Sequence, residues 1–217
     1  MNNVKKTIGW ADYTINPVKG LCPVACDYCY ARRMYKRFRW NEEIRFDGNT
    51  LVDFPSKPSR IFVGSTMELF GDWVKPQWME QIMALPHNFP QHTFIFLTKQ
   101  PQNLIEFSPF PDNCWVGVSA TDTAMADSAL RHLFEVKANV KFLSIEPLLS
   151  WQPLFPIKFP SHLNWVIIGQ QTPVKKATMP NIEWVEGIVR ACDKAGIPVF
   201  LKFNLVGHIP IEEPFYR

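Results

Sequence analysis

The sequence predicts an α/β fold with a mostly parallel sheet that curves towards a barrel. Three observations support this prediction. Short apolar segments alternate with helical segments along the 217 residues. The apolar segments are continuously apolar, as in parallel strands buried on both faces. Polar side chains follow them at their carboxyl ends, where parallel α/β folds bind ligands. With 47% hydrophobic residues the chain can form one sizeable core, and we expect a single domain over residues 1–217.

Seven segments have the length and composition of strands. They are rich in β-branched and aromatic residues, and Gly, Pro, Asn or Ser residues bound most of them. The predicted strands are residues 13–17, 60–65, 93–99, 114–120, 140–147, 164–170 and 197–203.

Three segments between these strands have helical periodicity, namely residues 75–85, 126–136 and 182–196. The apolar residues of the third fall on one helical face, and Gly196 is placed to end that helix. This face consists of Ile182, Val185, Ile188, Val189 and Cys192. Right-handed crossovers turn such a chain into either an open doubly wound sheet or a curved, barrel-like one.

A ring of polar residues at successive strand ends favours the barrel-like sheet. Its members are Ser65, Thr66, Thr98, Lys99, Ser119, Thr121, Glu146, Gln170, Gln171 and Lys202. Loops are polar in general, but so many strand ends that meet at one edge indicate one shared site. Glu146 and Lys202 are charged groups at the ends of buried strands, which is costly unless they bind a ligand or pair with each other. Both interpretations of these two residues are open.

The overall composition limits the class of protein. A net charge of +3 and a pI near 8.6 are too weakly basic to indicate nucleic-acid binding by themselves. No segment approaches the roughly 20 apolar residues of a membrane span, and the N-terminal residues lack an apolar leader, so we expect a cytoplasmic protein without membrane contact. Five cysteines, three of them close together, fit a metal or catalytic site better than a disulfide framework.

The most specific chemical signal is the cysteine loop, residues 20–30, in which Cys22, Cys26 and Cys29 follow a C-x3-C-x2-C spacing. A structural zinc ion takes four ligands, often from two cysteine pairs, and here it would need a distant fourth ligand. A [4Fe–4S] cluster offers four irons, so three thiolates would leave one iron open for chemistry. Cys114 and Cys192 lie far away in the sequence, and we interpret both as small buried residues. A catalytic thiol at Cys114 is the weaker alternative.

This motif, with Tyr28 before the last cysteine and a position after the first predicted strand, resembles the radical S-adenosylmethionine (SAM) superfamily. The segments "NPVKGLCPVACDYCYARRM", "IFVGSTMELFGDWV", "FLTKQP" and "LSIEPLL" resemble more narrowly a small phage and prokaryotic branch of it, known as phage protein of unknown function. The resemblance extends from about Trp10 to Leu205. It implies a partial parallel (β/α)6 barrel, with the [4Fe–4S] cluster on the three cysteines of the loop and SAM on the open iron.

The implied activity is reductive cleavage of SAM, after which a 5′-deoxyadenosyl radical abstracts hydrogen from an unidentified substrate. Such an enzyme depends on an external low-potential reductant. We expect a nucleobase, nucleotide or nucleic acid as the substrate, because of the basic aromatic segment described below. The chain has few residues to spare for a lid, so we also expect a partner protein or a large substrate to close the barrel mouth.

The resemblance further implies which residues bind SAM. The backbone of Tyr28 would lie against the adenine. Ser65, Thr66 and Glu68 occupy the place where related enzymes bind the methionyl amino group. The run "GSTMELFGD" replaces the GGEP-like run of many superfamily members, so these contacts depart from the common pattern.

The remaining cofactor contacts are expected from later strands. Ser119 would meet the ribose or the carboxylate of SAM, and Thr98 and Lys99 would pair with that carboxylate. Glu146 and Lys202 would contact SAM or the substrate if they do not serve only as an ion pair. Phe203 stands where we expect related sequences to carry an acidic residue.

The basic aromatic segment, residues 30–40, has two interpretations. It interleaves the cations Arg32, Arg33, Lys36, Arg37 and Arg39 with the rings of Tyr30, Tyr35, Phe38 and Trp40. Cations for phosphates and flat rings for stacking are what nucleic-acid binders use. The other interpretation is an amphipathic helix that covers the cluster, with its aromatic rings inward and its cations in solvent. The alternative function is accordingly a non-catalytic iron–sulfur or zinc protein that binds nucleic acid.

Overall fold

Ten strands and six α-helices make up the regular secondary structure of residues 1–152, 159–173 and 178–206, which the computed structural model describes. Two 3-10 helices, Gly48–Leu51 and Pro101–Phe107, supplement them. In chain order the elements are β1 (Asn2–Asn3), β2 (Tyr13–Ile15), β3 (Val18–Lys19), α1 (Tyr30–Phe38), β4 (Arg45–Phe46), β5 (Arg60–Val63), α2 (Pro76–Met83), α3 (Leu85–Asn88), β6 (Thr93–Thr98), β7 (Cys114–Ala120), α4 (Thr123–Glu135), β8 (Val140–Ile145), β9 (Trp165–Ile168), α5 (Ile182–Ala195), β10 (Val199–Leu201) and α6 (Phe203–Val206).

Eight of the strands form one sheet in the order β1-β2-β5-β6-β7-β8-β9-β10. β1 is antiparallel to β2, and every other neighbouring pair is parallel. Among the described residues the edge strands β1 and β10 do not pair with each other, so the sheet is open. The strands follow one another in chain order, which places the crossover helices on one face of the sheet. The predicted α/β class with a mostly parallel sheet is confirmed.

All seven predicted strands and all three predicted helices are present. The segment 75–85 divides at Ala84 into α2 and α3. Gly196 ends α5 as expected: its φ is +69°, and its N–H donates to the carbonyls of Cys192 and Asp193. Strands β3 and β4, which form a separate antiparallel pair, were not predicted. None of the helices described is long and apolar enough to cross a bilayer.

The outer face of the sheet packs against the helices and forms the larger core. Alternate residues of the strands point to this side, including Phe94, Val116 and Leu143, and they meet Leu133 of α4 and Ile188 of α5. Apolar burial here supplies most of the stability, at about 25 cal/mol for each Å² removed from water.

Two cysteines belong to this outer core, as predicted. Cys114 begins β7 and Cys192 lies on the buried face of α5, and neither is accessible to solvent. Burial raises the pKa of each thiol to about 12. Cys114 is also absent from the residues that border the cavity described below. Nothing in the described structure supports the alternative of a catalytic thiol at Cys114.

The inner face of the sheet changes character along the strands. Near the amino ends it forms a second core in which Trp10 contacts Phe62, with ring centroids 4.9 Å apart, and Phe142, with centroids 6.3 Å apart. Towards the carboxyl ends the same face carries small and polar residues such as Ser119 and Ser144. The segment around Trp10 thus closes the floor of the concave side and leaves its upper part open.

Candidate active site at the carboxyl ends of the strands

A cavity of about 980 Å³ lies at the carboxyl ends of the parallel strands. Its volume is at the upper end of the range for cofactor and small-molecule sites. All twelve predicted site residues border it: Cys22, Cys26, Tyr28, Cys29, Ser65, Thr66, Glu68, Thr98, Lys99, Ser119, Glu146 and Lys202. Of the predicted polar ring, Thr121 is not among the lining residues, and its hydroxyl contacts the sulfur of Met125 at 3.2 Å instead. The structure places these residues together, and their roles stay predictions.

The cysteine loop is anchored where it leaves β3. The N–H of Gly20 donates to the Tyr35 hydroxyl of α1 at 2.8 Å. Gly20 has a φ of +122°, and a Cβ at this position would lie 2.6 Å from the Glu43 carbonyl oxygen and 2.7 Å from the Cα of Ile44. Only glycine fits such a close approach of two backbone segments. This close approach holds the start of the cysteine loop against residues 43–44, which lead into β4.

Two turns fold the loop itself. The N–H of Ala25 donates to the Cys22 carbonyl at 3.3 Å, and the N–H of Cys29 donates to the Cys26 carbonyl at 3.0 Å. Ala25 adopts a φ of +54°, in the left-handed region that alanine rarely occupies. All three thiols are unpaired by disulfides and partly buried, and they border the same cavity.

The electrostatic setting of the thiols depends on burial and on their neighbours. Burial raises the pKa of Cys22, and the carboxylate of Glu68 and the thiol of Cys29 raise it further. The backbone N–H groups of Glu68 and Val24 contact the Cys22 sulfur and act in the opposite direction. Backbone N–H groups directed at sulfur are among the contacts by which proteins tune iron–sulfur clusters.

The tyrosines beside the cysteines are also perturbed. Burial raises the pKa of Tyr28, and the neighbouring thiols of Cys26 and Cys29 raise it further. Partial removal of its hydroxyl from water raises the pKa of Tyr30 to about 12, although 43% of the residue is exposed, and this hydroxyl donates to the Ser65 carbonyl at 2.6 Å. Both phenols therefore stay neutral hydrogen-bond donors at physiological pH.

The donor set of the loop is chemically uniform. Within the described part of the chain, no three His, Cys, Asp or Glu side chains are arranged to hold a metal ion. A single zinc ion binds each sulfur at about 2.3 Å, so all its ligands converge on one point. In a [4Fe–4S] cluster each thiolate binds a different iron, and the sulfurs do not converge. Thiolates are the ligand type that such a cluster uses, and the loop offers three of them.

The carboxylate of Glu68 already accepts hydrogen bonds from groups of the protein itself. This buried carboxylate accepts them from the Thr98 hydroxyl at 2.7 Å, the Lys99 N–H at 2.6 Å and the Phe70 N–H at 3.0 Å. Glu68 and Thr98 thus join the turn after β5 to the end of β6. The Lys99 ammonium, in contrast, makes no hydrogen bond or ion pair with any residue that the structure describes. The Lys99 ammonium is therefore available to a ligand.

Glu146 and Lys202 form an ion pair across the ends of β8 and β10. Their side chains are 22% and 10% exposed, so water screens the pair only in part. Gly169, at the end of β9, lies between them. A Cβ there would be 2.9 Å from Cγ of Glu146 and 3.0 Å from Cδ of Lys202, so the pair needs a residue without a side chain. The ion pair is present in the cavity wall, and contact with SAM or substrate stays a prediction.

Helix α1 carries most of the basic aromatic segment. Tyr35 is buried, whereas Tyr30, Phe38 and Trp40 are exposed. The interpretation that the aromatic rings point inward is therefore right for Tyr35 and wrong for Phe38 and Trp40, whereas Tyr30 is exposed but reaches the Ser65 carbonyl through its hydroxyl. The other buried residue of α1 is Ala31.

Comparison with known protein families identifies the chain. The family described as "Protein of unknown function (DUF5131)" matches residues 5–208. The chain belongs to this family. No curated protein matches the sequence. The match includes the whole cysteine loop and every residue named above as lining the cavity. The DUF5131 description states no activity and no cofactor.

Several residues of this DUF5131 site were not selected from the sequence. The Asn16 side-chain oxygen accepts hydrogen bonds from the N–H and hydroxyl of Thr66, both at 3.0 Å, and the Ser65 hydroxyl lies 3.2 Å away. Asn16 thereby fixes the turn after β5. It follows β2 directly, so the rule that identified the other strand ends would have found it. Ser144 lies inside β8 and gave no such signal.

One predicted departure from the radical SAM pattern lies outside the cavity. Phe203 begins α6 and is exposed, and it does not border the cavity of the described DUF5131 chain. An acidic residue at this position would face solvent in this structure.

Proposed function

We propose that this DUF5131 protein is a radical SAM enzyme that holds a [4Fe–4S] cluster on Cys22, Cys26 and Cys29. The observation that carries the proposal is the position of the cysteine loop. It borders the same cavity as the polar ends of the parallel strands, so a cluster on this loop would face the groups suited to hold SAM. Ligand sites of parallel α/β folds lie at this edge.

The sheet supports the barrel type that the resemblance implies. Seven parallel strands follow one another in chain order, with helices outside and a closed aromatic floor inside. A partial (β/α)6 barrel needs six such strands, so we propose a barrel of this type with one further strand. A cytoplasmic location accompanies the proposal, because five free cysteines and a reduced cluster require reducing surroundings.

A reduced cluster held by Cys22, Cys26 and Cys29 would supply one electron for the reductive cleavage of SAM to methionine and a 5′-deoxyadenosyl radical, which would take a hydrogen atom from the substrate. The chain's own residues bind and orient. The Lys99 ammonium would pair with the SAM carboxylate, and the hydroxyls of Ser119 and Ser65 would hydrogen bond with its polar groups, because all three residues border the cavity. The apolar floor around Trp10 keeps water away from one side of the cavity.

The basic residues near the loop also fit a cluster. The Arg32 guanidinium donates to the Cys22 carbonyl at 3.0 Å, which brings a fixed positive charge to the cysteine loop. Thiolates and sulfides carry negative charge, and a nearby cation lowers the electrostatic energy of holding that charge inside the protein. The enzyme would also need an external low-potential reductant, and a partner protein or a large substrate to cover the open mouth.

The test is cleavage of SAM by the anaerobically reconstituted protein. After reconstitution with iron and sulfide, dithionite and SAM are added, and 5′-deoxyadenosine is measured by mass spectrometry. We expect 5′-deoxyadenosine from the unchanged protein, and loss of both iron and product in Cys26→Ala. The control is Cys192→Ala, which removes a buried thiol far from the loop and should retain the cluster. A protein with a full complement of cluster iron that forms no 5′-deoxyadenosine would overturn the proposal.

The alternative is a non-catalytic iron–sulfur or zinc protein that binds nucleic acid. The exposed rings of Phe38 and Trp40 among cations favour a nucleic-acid partner under either function. The same preparation separates the alternatives. A brown protein that leaves SAM intact indicates the iron–sulfur version, and a colourless protein with bound zinc indicates the zinc version.

A further inference from the structure

We propose that residues 36–40 form a platform that binds single-stranded nucleic acid at the rim of the cavity. The platform consists of Lys36, Arg37, Phe38, Arg39 and Trp40. The proposal names the substrate class of the proposed enzyme and rests on that function for the chemistry, whereas the binding itself needs neither SAM nor a cluster.

The first observation is an exposed pair of stacked rings. The centroids of Phe38 and Trp40 are 5.4 Å apart, and their planes meet at 22°. The two residues are 51% and 43% exposed, so about half of each remains in contact with water. Stacked rings that are half exposed offer a flat apolar surface, and nucleic-acid bases stack on such surfaces with little regard to sequence.

The second observation is that the rings are held in place. Arg39 ends α1 with a φ of +51°, in the left-handed region, and the N–H of Trp40 donates to the Tyr35 carbonyl at 3.2 Å. The Tyr35 ring meets the Trp40 ring edge-on, with centroids 5.3 Å apart. A left-handed residue is a common way to end a helix, and here it turns the chain so that the Trp40 ring packs against Tyr35. The platform is therefore ordered before any ligand arrives.

The third observation is the charge around the rings. Lys36, Arg37 and Arg39 are exposed, and none of them forms an ion pair within the described residues. The Arg37 guanidinium lies 5.3 Å from the centroid of Phe38. Cations on flexible side chains beside a stacking surface match a phosphate backbone that carries unpaired bases.

The fourth observation links the platform to the cavity. Trp40 is itself one of the residues that border the cavity, as are Tyr35 and Tyr30 of the same helix. A strand whose base stacks on Trp40 would therefore have its neighbouring nucleotide at the cavity mouth. Enzymes that modify a base must bring it out of the stack into their pocket, and single strands make this step easy.

Other partners match these observations less well. A duplex does not expose the faces of its bases except at its ends, so it would not use the ring pair. A membrane surface would favour aliphatic side chains beside the aromatic ones, and residues 36–40 contain none.

The test is binding of fluorescein-labelled oligonucleotides of about 20 nucleotides, measured by fluorescence anisotropy on the full chain without SAM or reductant. Single-stranded DNA, RNA of the same sequence and the DNA duplex are compared. We expect single strands to bind more tightly than the duplex, and the two single-stranded arms show whether DNA or RNA is preferred.

Variants assign the binding to the platform. Phe38→Ala and Trp40→Ala should each weaken single-strand binding about fivefold or more. Trp40→Leu keeps an apolar side chain but loses the flat ring, and should also bind more weakly. Phe134→Ala is the control, because Phe134 is an exposed aromatic residue of α4, 70% exposed, away from the platform. Circular dichroism confirms that each variant is folded.

Charge is tested by the salt dependence of binding. Lys36→Ala should reduce the slope of log affinity against log salt by about 0.7, the value for one lost contact with a single-strand phosphate. Arg131→Ala removes an exposed cation of α4 that pairs with Asp127, and should leave the slope unchanged. Unchanged affinity in both ring variants, or duplex binding as tight as single-strand binding, would overturn the proposal. Either result is independent of whether the protein cleaves SAM.

Discussion

At the scale of single residues, two of the lysines that border the cavity, Lys99 and Lys202, are in different states. Lys202 is paired with Glu146, whereas Lys99 has no acidic partner among the described residues. A lysine that is paired with a carboxylate at a partly buried position contributes to stability, and an unpaired lysine attracts anions. We therefore assign the first mainly to the fold and the second mainly to ligand binding.

Glu146→Gln tests the role of the ion pair. The substitution leaves the Lys202 ammonium without its counter-ion at a site where the side chain is only 10% exposed. We expect the free energy of unfolding to fall by about 1–3 kcal/mol, measured by urea denaturation. The control is Glu186→Gln, which breaks an exposed pair with Arg190 at 3.3 Å and should cost less than about 0.5 kcal/mol. Equal effects of the two substitutions would contradict this assignment.

His92 is a buried titratable residue far from the cavity. It is 1% exposed and lies among the rings of Phe54, Phe89 and Phe94, with centroids 5.8 to 6.4 Å away. Neither ring nitrogen has a hydrogen-bond partner of good geometry in the described part of the chain. Burial lowers the pKa of His92, and a backbone contact with Pro55 offsets this only in part.

The lowered pKa of His92 predicts a pH-dependent stability. As the pH falls below about 6.5, the unfolded chain binds a proton that the folded chain does not accept, so protonation favours unfolding. The contribution of His92 to the free energy of unfolding should be constant well above this pH and should decrease as the pH falls through about 6.5. His92→Phe fills the same aromatic surroundings and should reduce that decrease. His162, whose pKa is also lowered, by burial and by Lys141, should contribute to the same decrease.

Urea denaturation at several pH values provides the measurement for His92. The exposed His87 supplies the control, since His87→Gln should leave the pH dependence unchanged. If His92→Phe has the same pH dependence as the unchanged protein, the histidine does not resist protonation in the folded state.

Single residues differ in how well the sequence predicts their surroundings. The cysteine spacing and the polar strand ends are local patterns, and all twelve selected residues border one cavity. The sequence could not show that the Glu68 carboxylate accepts hydrogen bonds from Thr98 and Lys99, because these bonds join residues that are 30 and 31 positions apart. Such pairings depend on the register of neighbouring strands, which no local pattern specifies.

At the scale of elements, the cysteine loop depends on the short strands that flank it. β3 and β4 pair across a segment that contains the loop and α1, and Gly20 allows the backbone of residues 43–44 to approach. The pair consists of two residues on each side, too short for a recognisable strand pattern. The longer strands and helices were predictable because their apolar runs and periodicity are local.

Gly20→Ala tests how strictly the loop is held. The new Cβ would lie 2.6 Å from the Glu43 carbonyl oxygen, and φ of +122° is unfavourable for alanine. We expect a loss of at least about 1 kcal/mol in the free energy of unfolding and a lower iron content after reconstitution. Unfolding is followed by urea denaturation, and iron by a colorimetric assay.

A second glycine provides the matched control for Gly20. Gly187 lies in α5, and no heavy atom is within 4 Å of the position that a Cβ would occupy. Gly187→Ala should therefore stabilise the helix by up to about 1 kcal/mol and leave the iron content unchanged. If Gly20→Ala behaves like Gly187→Ala, the close contact at residue 20 is not needed to hold the loop.

Helix α1 shows why a periodic pattern alone could not predict the orientation of the aromatic segment. Four rings over eleven residues are compatible with either a buried or an exposed face. The hydrogen bond from Gly20 to the Tyr35 hydroxyl turns that ring inward, and the left-handed Arg39 leaves Trp40 on the surface. Both features are tertiary or cap contacts, and neither is encoded in the spacing of apolar residues.

At the scale of the whole molecule, the sheet separates stability from the site. Its outer face forms the large core with the helices, and its inner face is closed below by Trp10 and open above, where the cysteine loop lies. This division lets the cavity carry polar and charged groups without loss of the main core. The alternation of strands and helices is visible in the sequence and predicted the class of fold. The closed floor was not predicted, because it is formed by long-range contacts between the N-terminal segment around Trp10 and the sheet.

The central claim is that the three cysteines hold a cluster with one iron open to SAM. Electron paramagnetic resonance of the reconstituted, dithionite-reduced protein tests it most directly, with spectra recorded before and after addition of SAM. Because SAM would become a ligand of the open iron, the account predicts a reduced [4Fe–4S] signal whose g values change when SAM is added. A reduced cluster whose spectrum is the same at saturating SAM would contradict it.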